Sequence, residues 1–288
     1  MQIVRGIKPL RRLIRRAKKQ GKTIGFVPTM GALHEGHLSL IRAAKVGNDL
    51  VAVSIFVNPI QFNRKTDLAA YPRPLRQDIR LCKKSGVDFL FIPSVKTMYP
   101  AGFQTICEVL ELSRPWEGFF RPGHFRGVTT VVAKLLNLVQ PDTAYFGEKD
   151  FQQAAIIRRM VRDLNVDVRI KVLPTIREKD GLAMSSRNRL LPSELRRPSR
   201  TLFLALQEGR RLIESGERRR SVVERRMRSM IRTIPRSRLE YCVLVDPAGL
   251  RRVPSIKGEV VALLAVWVGS TRLIDAMRIR PRRTTRMR

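Results

Sequence analysis

Apolar residues open the chain at helical spacing: Ile7, Leu10, Leu13, Ile14 and Ala17 fall on one face of a helix. This predicts an amphipathic helix docked on a sheet. Residues 24–27 are a short apolar run that predicts a strand. A tight turn, Pro28-Thr29-Met30-Gly31, follows, and then a helix from about His37 through Leu38-Ser39-Leu40-Ile41-Arg42-Ala43-Ala44. Residues 50–56 are continuously apolar, as strands buried on both faces of a parallel sheet are. Helical patterns at 78–84, 128–139 and 151–165 alternate with strand patterns at 89–92, 143–146 and 168–172. A β-α-β-α order of this kind predicts a doubly wound, Rossmann-like parallel sheet of the α/β class. Ligands of such sheets bind beyond the carboxyl ends of the strands. His34, Asn58, Gln61, Glu148 and Lys149 all follow predicted strands, so they are expected to share one crevice.

The pattern changes near Pro174. A very basic helical stretch (198–231) leads to strand patterns at 239–245 and 260–268, separated by the turn Asp246-Pro247-Ala248-Gly249. We expect a Rossmann-like, ligand-binding domain over 1–173. A smaller α+β domain over 174–280 would close over the crevice, and a basic, disordered tail would occupy 281–288. The longest apolar run, Val260–Val268, is too short to span a bilayer and, being rich in Val, fits a buried strand.

At 288 residues and 43% hydrophobic content, the chain can bury a substantial core, in one large or two smaller domains. Cys82, Cys107 and Cys242 are scattered and form no CxxC pair. That suits free thiols in a reducing cytoplasm. The Arg-rich N-terminus resembles an organelle presequence, but its periodic stretch runs unbroken into the first strand and lacks the apolar segment of a signal peptide. A cytoplasmic protein with no membrane partner is expected.

The net charge of +33 raises nucleic acid or acidic surfaces as partners. The basic residues are spread over the N-terminal helix, Arg218-Arg219-Arg220, Arg225-Arg226 and Arg278-Ile279-Arg280-Pro281-Arg282-Arg283. No aromatic stacking platform interleaves them, and no zinc-finger, KH or RNP pattern accompanies them. Non-specific adhesion to polyanions at low salt is therefore expected, and specific nucleic-acid binding is not.

Candidate chemistry concentrates in His34-Glu35-Gly36-His37, which holds two of the three histidines at the start of a helix. Helix N-termini present unpaired N–H groups and partial positive charge, and so attract phosphate. His34 and His37 stand three apart and can project from one side of the first turn. The alternatives are a solvated surface turn, or metal ligation. The i, i+3 spacing lacks the i, i+4 form of the helical zinc motif, and no third ligand cluster appears. A second segment, Gly147-Glu148-Lys149-Asp150-Phe151-Gln152-Gln153, follows a strand. Its Lys149 could neutralise phosphate and its Asp150 accept ribose hydroxyls; an ordinary charged helix start is the alternative. The third, Met184-Ser185-Ser186-Arg187, could clamp phosphate from a mobile loop, or simply cap a helix. Together these groups suit attack on the α-phosphate of ATP with loss of pyrophosphate, chemistry that needs alignment and charge stabilisation more than a nucleophile.

Several motifs carry a family resemblance. These are Pro28-Thr29-Met30-Gly31-Ala32-Leu33-His34-Glu35-Gly36-His37, Phe56-Val57-Asn58-Pro59-Ile60-Gln61-Phe62 and Arg121-Pro122-Gly123-His124-Phe125-Arg126-Gly127-Val128. The segments 147–153, 184–188 and Thr271-Arg272-Leu273-Ile274-Asp275 complete the set. The chain resembles the pantothenate synthetase (pantoate–β-alanine ligase) family of HxGH nucleotidyltransferases over about residues 7–277.

The resemblance implies a cytoplasmic homodimer that condenses pantoate with β-alanine. ATP with Mg²⁺ is a substrate, pantoyl-adenylate the intermediate, and no prosthetic group takes part. Carried over residue by residue, Met30, Gly31, Ala32, Leu33, His34, Glu35, Gly36 and His37 would line the ATP site. Gly147, Glu148, Lys149, Asp150, Ile176 and Met184 would also hold ATP. Ser185, Ser186 and Arg187 would clamp its phosphates. His34, His37 and Lys149 would be catalytic, with His37 the candidate proton donor. Gln61 and Gln153 would bind the pantoate, and Tyr71, His124 and Arg126 would contribute at second rank. The resemblance leaves the metal ligands open. The chain departs from the family at Asn63-Arg64-Lys65-Thr66-Asp67, where a Gly and an acidic pair are usual, and at Ala276, where Asn is usual. Two rivals stand beside this reading: another HxGH transferase, against which Gln61 and Gln153 count, and a nucleic-acid-binding protein on a degenerate enzyme fold, against which the intact motifs count.

Overall fold

The computed structural model describes residues 1–282. Residues 283–288, most of the tail expected to be disordered, lie outside the described residues. The chain divides into two compact units. Residues 1–147 join 152–174 in the first, and residues 148–151 join the chain from 175 onward in the second.

The first unit runs β1 (Gln2–Val4), α1 (Ile7–Lys19), β2 (Ile24–Thr29), α2 (Glu35–Gly47), β3 (Leu50–Ile55), α3 (Lys65–Ala70) and α4 (Leu75–Lys84). It continues through β4 (Phe89–Phe91), α5 (Val95–Met98), α6 (Glu117–Phe120), α7 (His124–Val139), β5 (Thr143–Gly147), all but the first residue of α8 (Phe151–Asp163), and β6 (Arg169–Leu173). Its six strands are all parallel, in the order β1-β4-β3-β2-β5-β6. This is the doubly wound sheet that the alternating pattern predicts.

The apolar runs of β2 and β3 are buried on both faces because helices cover both. On one face Leu10, Ile14 and Ala17 of α1 join residues of α7 and α8 around Phe26 and Ala52. On the other, Leu40, Ile41 and Ala44 of α2 pack with Cys82 of α4 around Val27, Val51 and Val53. The chain winds one way through β2, β3 and β4 and the other way through β5 and β6, so the topological switch lies between β2 and β5. The edge strand β1 was not anticipated; three residues are too few to show a period.

The second unit holds α9 (Ser193–Arg196), α10 (Thr201–Glu214), α11 (Arg220–Arg232), β7 (Ser237–Val245), β8 (Val260–Val268) and β9 (Thr271–Ile279). Its strands form one antiparallel sheet, β7-β8-β9. Leu206 and Ile213 of α10 and Val223, Met227 and Ile231 of α11 share a core with Leu244 of β7 and Leu264 and Val266 of β8. The basic stretch read as one helical region is thus two helices. Strand β9 was missed because Arg272, Asp275 and Arg278 interrupt its apolar positions. The turn Glu148–Asp150 groups with this unit rather than with the strand before it. Arg278 Nε donates to Glu148 Oε1 at 2.6 Å, and its guanidinium lies 4.7 Å from the Phe151 ring centroid.

Candidate functional site

In the first unit the switch-point end of β2 is held by a network the sequence does not announce. Thr29 Oγ1 donates to Ser54 O (2.8 Å) and accepts from Gly31 N (3.1 Å). Gly31 and Ala32 then take left-handed backbone angles, φ +82° and +51°. The Asp78 carboxylate of α4, buried, accepts the N–H groups of Ala32 (2.9 Å) and Leu33 (2.8 Å). A Cβ on residue 31 would stand 2.9 Å from Asp78 Oδ2, so glycine is required there by space as well as by angle.

This turn delivers the two imidazoles to the start of α2. His34 is the N-cap: its Nδ1 accepts from Gly36 N at 3.2 Å, and His37 Nδ1 accepts from His34 N at 3.3 Å, closing a capping box. The ring centroids are 4.1 Å apart and tilted by 45°. With both Nδ1 atoms accepting, each neutral ring carries its proton on Nε2. Two Nε2–H donors at the positive end of a helix are suited to phosphate oxygens. Glu35 is drawn aside by an ion pair with Arg42 of the same helix.

A second network sets Gln61, in the turn after β3. Asn58 Nδ2 donates to Gln61 Oε1 (2.9 Å) and to Gly127 O (3.0 Å), and Tyr99 OH donates to Asn58 Oδ1 (2.7 Å). Burial pushes the Tyr99 hydroxyl well above its usual range, so it stays a donor. Gln61 Nε2 points to Met30 Sδ at 3.1 Å, which brings Gln61 to the β2 turn. His124 Nδ1 donates to Gln61 O (2.9 Å), leaving Nε2 to accept from Arg121 (3.1 Å). His124 therefore supports the Gln61 backbone. Gly127 is needed because α7 presses on this turn; a Cβ there would meet Ile60 O at 2.5 Å. Tyr71 stacks edge-on to Phe62 at 5.8 Å, and Arg126 is exposed.

Gln152 and Gln153 have separate tasks. Gln152 is buried, donating to Leu112 O and Pro115 O and accepting from Glu117 N. The half-buried amide of Gln153 has no hydrogen bond among the described residues. Gly147 closes β5 with open space where a Cβ would stand.

In the second unit Lys149 Nζ lies 3.4 Å from Asp150 Oδ2, while Glu148 is held by Arg278. Residues 176–184 fold back on themselves: Met184 N donates to Ile176 O (3.0 Å) and Arg177 bridges to Ala183. Arg177 is clamped to Asp275 of β9 and donates to Gly181 O (3.1 Å). Arg196 braces the same hairpin, pairing with Glu178 and Asp180 at 2.7 Å each. Ser185 caps the short 3-10 helix Ser186–Leu190, its Oγ accepting from Arg187 N at 3.2 Å. Its hydroxyl hydrogen and the Arg187 guanidinium make no hydrogen bond or ion pair among the described residues.

Sequence reasoning missed Asp78 and Tyr99 in the first unit, and Arg177 and Arg196 in the second, as supports of the candidate residues of their own units. No helix among the described residues is long and apolar enough to cross a membrane.

Comparisons with known proteins agree with this architecture. The family profile described as pantoate-beta-alanine ligase matches residues 2–278. A protein named pantothenate synthetase from Moorella thermoacetica is 52% identical over 275 residues, covering 96% of this chain and 97% of its own length. The crystal structure of the pantothenate synthetase of Thermus thermophilus superposes with a TM-score of 0.93 at 43% identity, covering 98% of this chain and all of that one. The Francisella tularensis pantoate-beta-alanine ligase, crystallised with beta-gamma ATP and beta-alanine, gives 0.80 at 38% identity, with 96% and 97% coverage. With a profile match over nearly its whole length and relatives near half identity, this chain belongs to the pantoate-beta-alanine ligase family.

Proposed function

We propose that this chain condenses pantoate with β-alanine, driven by ATP, giving pantothenate, AMP and pyrophosphate through a pantoyl-adenylate. The observation that carries the reading is the pair His34 and His37 at the helix start beside the sheet's switch point. Each has Nδ1 accepting from backbone, and so each presents its proton on Nε2. A pantoate carboxylate oxygen attacks the α-phosphate and the bond to the β-phosphate breaks. Negative charge builds on the departing pyrophosphate, where the two imidazole donors and the Lys149 ammonium stabilise it. His37 is the group assigned to donate a proton to that leaving group. The β-alanine amine then attacks the acyl carbon, AMP leaves, and the amine loses a proton.

Residues 30–37, 147–150, Ile176 and Met184 are assigned to ATP, with Ser185, Ser186 and Arg187 on its phosphates. Gln61 and Gln153 are assigned to pantoate; an amide both donates and accepts, as a hydroxy acid requires. Among the described residues no three His, Cys, Asp or Glu side chains converge on a metal position. Magnesium would enter with ATP, where it would neutralise phosphate charge. A cytoplasmic homodimer without a prosthetic group completes the proposal.

The test is AMP release from ATP with D-pantoate, with and without β-alanine. AMP that appears only with both substrates, together with pyrophosphate, supports the ligase. Folded protein that yields no AMP with both substrates overturns it.

A further inference from the structure

Helix α1 carries a dense array of cations. Its 13 residues include Lys8, Arg11, Arg12, Arg15, Arg16, Lys18 and Lys19 and no acid. Its apolar residues Leu10, Ile14 and Ala17 are buried in the core, and its exposed positions are cationic apart from Pro9. Lys8, Arg11, Arg12, Arg15, Arg16 and Lys19 line an open surface depression along it.

On α10 and α11 several arginines are neutralised at short range. Glu208 holds Arg211 and Arg226, Glu214 holds Arg210, and Glu224 holds Arg220 and Arg228. None of the α1 cations makes an ion pair among the described residues. The charge of +33 is thus partly compensated by acids on α10 and α11, where Arg225 and Arg232 make no ion pair among the described residues, and uncompensated on α1.

The spacing is as informative as the charge. Lys8, Arg12, Arg16 and Lys19 follow one another at three to four residues, and Arg11 and Arg15 form a parallel row. Each step is one helical turn, about 5.4 Å along an axis of about 20 Å. The phosphates of a flexible single strand can follow rows of this spacing. We propose that the exposed face of α1 is a docking surface for the phosphodiester backbone of a single strand of nucleic acid. A straight pair of rows follows one strand and not the two diverging strands of a duplex. Arginine dominates the rows, and its planar fork engages phosphate oxygens two at a time. The face carries no aromatic side chain, so bases are not read and binding is independent of sequence. It also lacks the exposed apolar flank with which an interfacial helix enters a bilayer, which disfavours a membrane.

The test uses the full chain and a labelled oligouridylate, followed by fluorescence anisotropy between about 50 and 200 mM salt. Removing four contacts with R11Q/R12Q/R15Q/R16Q should weaken binding at least tenfold at low salt. It should also lower the slope of log affinity against log salt by about 3, at about 0.7 per phosphate contact on a single strand. The control R210Q/R211Q/R219Q/R226Q removes the same charge from ion-paired positions on α10, on α11 and at the residue before α11, and should change affinity less than twofold. Ligase activity should be unchanged in both variants and reports folding; if the fourfold α1 variant does not fold, R12Q/R16Q should lower the slope by half as much. Equal weakening by the two fourfold variants would overturn the proposal, since bulk charge would then suffice. So would an α1 variant that keeps its oligouridylate slope while losing adhesion to phosphatidylserine vesicles.

Discussion

Arg177 and Asp275 meet as a bidentate pair, Nη1 at 2.6 Å from Oδ2 and Nη2 at 3.1 Å from Oδ1, although 98 residues separate them. Burial pushes the Asp275 carboxyl upward, and the guanidinium pulls it back. The pair ties β9 to the base of the hairpin that presents residues 184–187. Asp275→Ala would leave the Arg177 charge without its partner in a mostly dry place. Loss of one member of a buried pair costs about 3–5 kcal/mol. Urea unfolding should show a loss of that order, and the surviving folded enzyme should have a raised KM for ATP. A variant with unchanged stability and KM would mean that the hairpin stands without this clamp.

His37→Ala and Lys149→Ala should each slow adenylate formation by about two to three orders of magnitude, the range for one electrostatic or proton-donating group. Pantoate-dependent exchange of labelled pyrophosphate into ATP measures that step alone. Near wild-type exchange in either variant would remove that residue from the assignment.

Asn58→Ala releases the Gln61 amide without touching a substrate assigned to it. The pantoate KM should rise about tenfold, the worth of one well-placed hydrogen bond. The KM for ATP should hold. Gln61→Ala should raise the pantoate KM as well, and the double variant should fall short of the product of the two, because both act through one amide. Independent, multiplicative effects would show that Asn58 does not work through Gln61.

Burial pushes the thiols of Cys82 and Cys242 up to about 12, from 9.0 for a free thiol; the nearby Asp78 charge adds to the effect at Cys82. The folded pKa is raised, so this contribution to stability is whole below pH 9.0. It is lost as pH climbs toward 12, where the unfolded chain ionises and the folded one resists. The unfolding midpoint should therefore fall across that alkaline window, and Cys82→Ala with Cys242→Ala should flatten the fall. At about neutral pH neither thiol of the folded protein should react with a disulfide reagent at an appreciable rate. Rapid modification of either would show that its burial is transient.

The sheet could be read from sequence because its signals are local. Residues 50–56 announce a doubly buried strand, and residues 7–17 announce the helix that covers it. His34-Glu35-Gly36-His37 is equally local: a turn, a cap and a helix start within one stretch. What stayed hidden was long-range. Tyr99 reaches Asn58 across 41 residues and Asp275 reaches Arg177 across 98, and neither spacing leaves a mark on a window of neighbours. Strand β9 was hidden for a related reason: its inward positions include Asp275, whose partner lies elsewhere in the unit. The pairing of cations with acids was equally invisible, and composition alone could not separate α1 from α11.

The Asp78 carboxylate has a consequence for the order in which this molecule assembles. It holds the N–H groups of Ala32 and Leu33 from 46 and 45 residues downstream. The turn that sets His34 cannot be completed by its own neighbours; it waits until α4 has docked and a loop of that length has closed. The turn that carries His34 and His37 is therefore a late product of folding. A chain emerging from the ribosome carries both imidazoles long before it has the turn that aims them, because α4 must follow first.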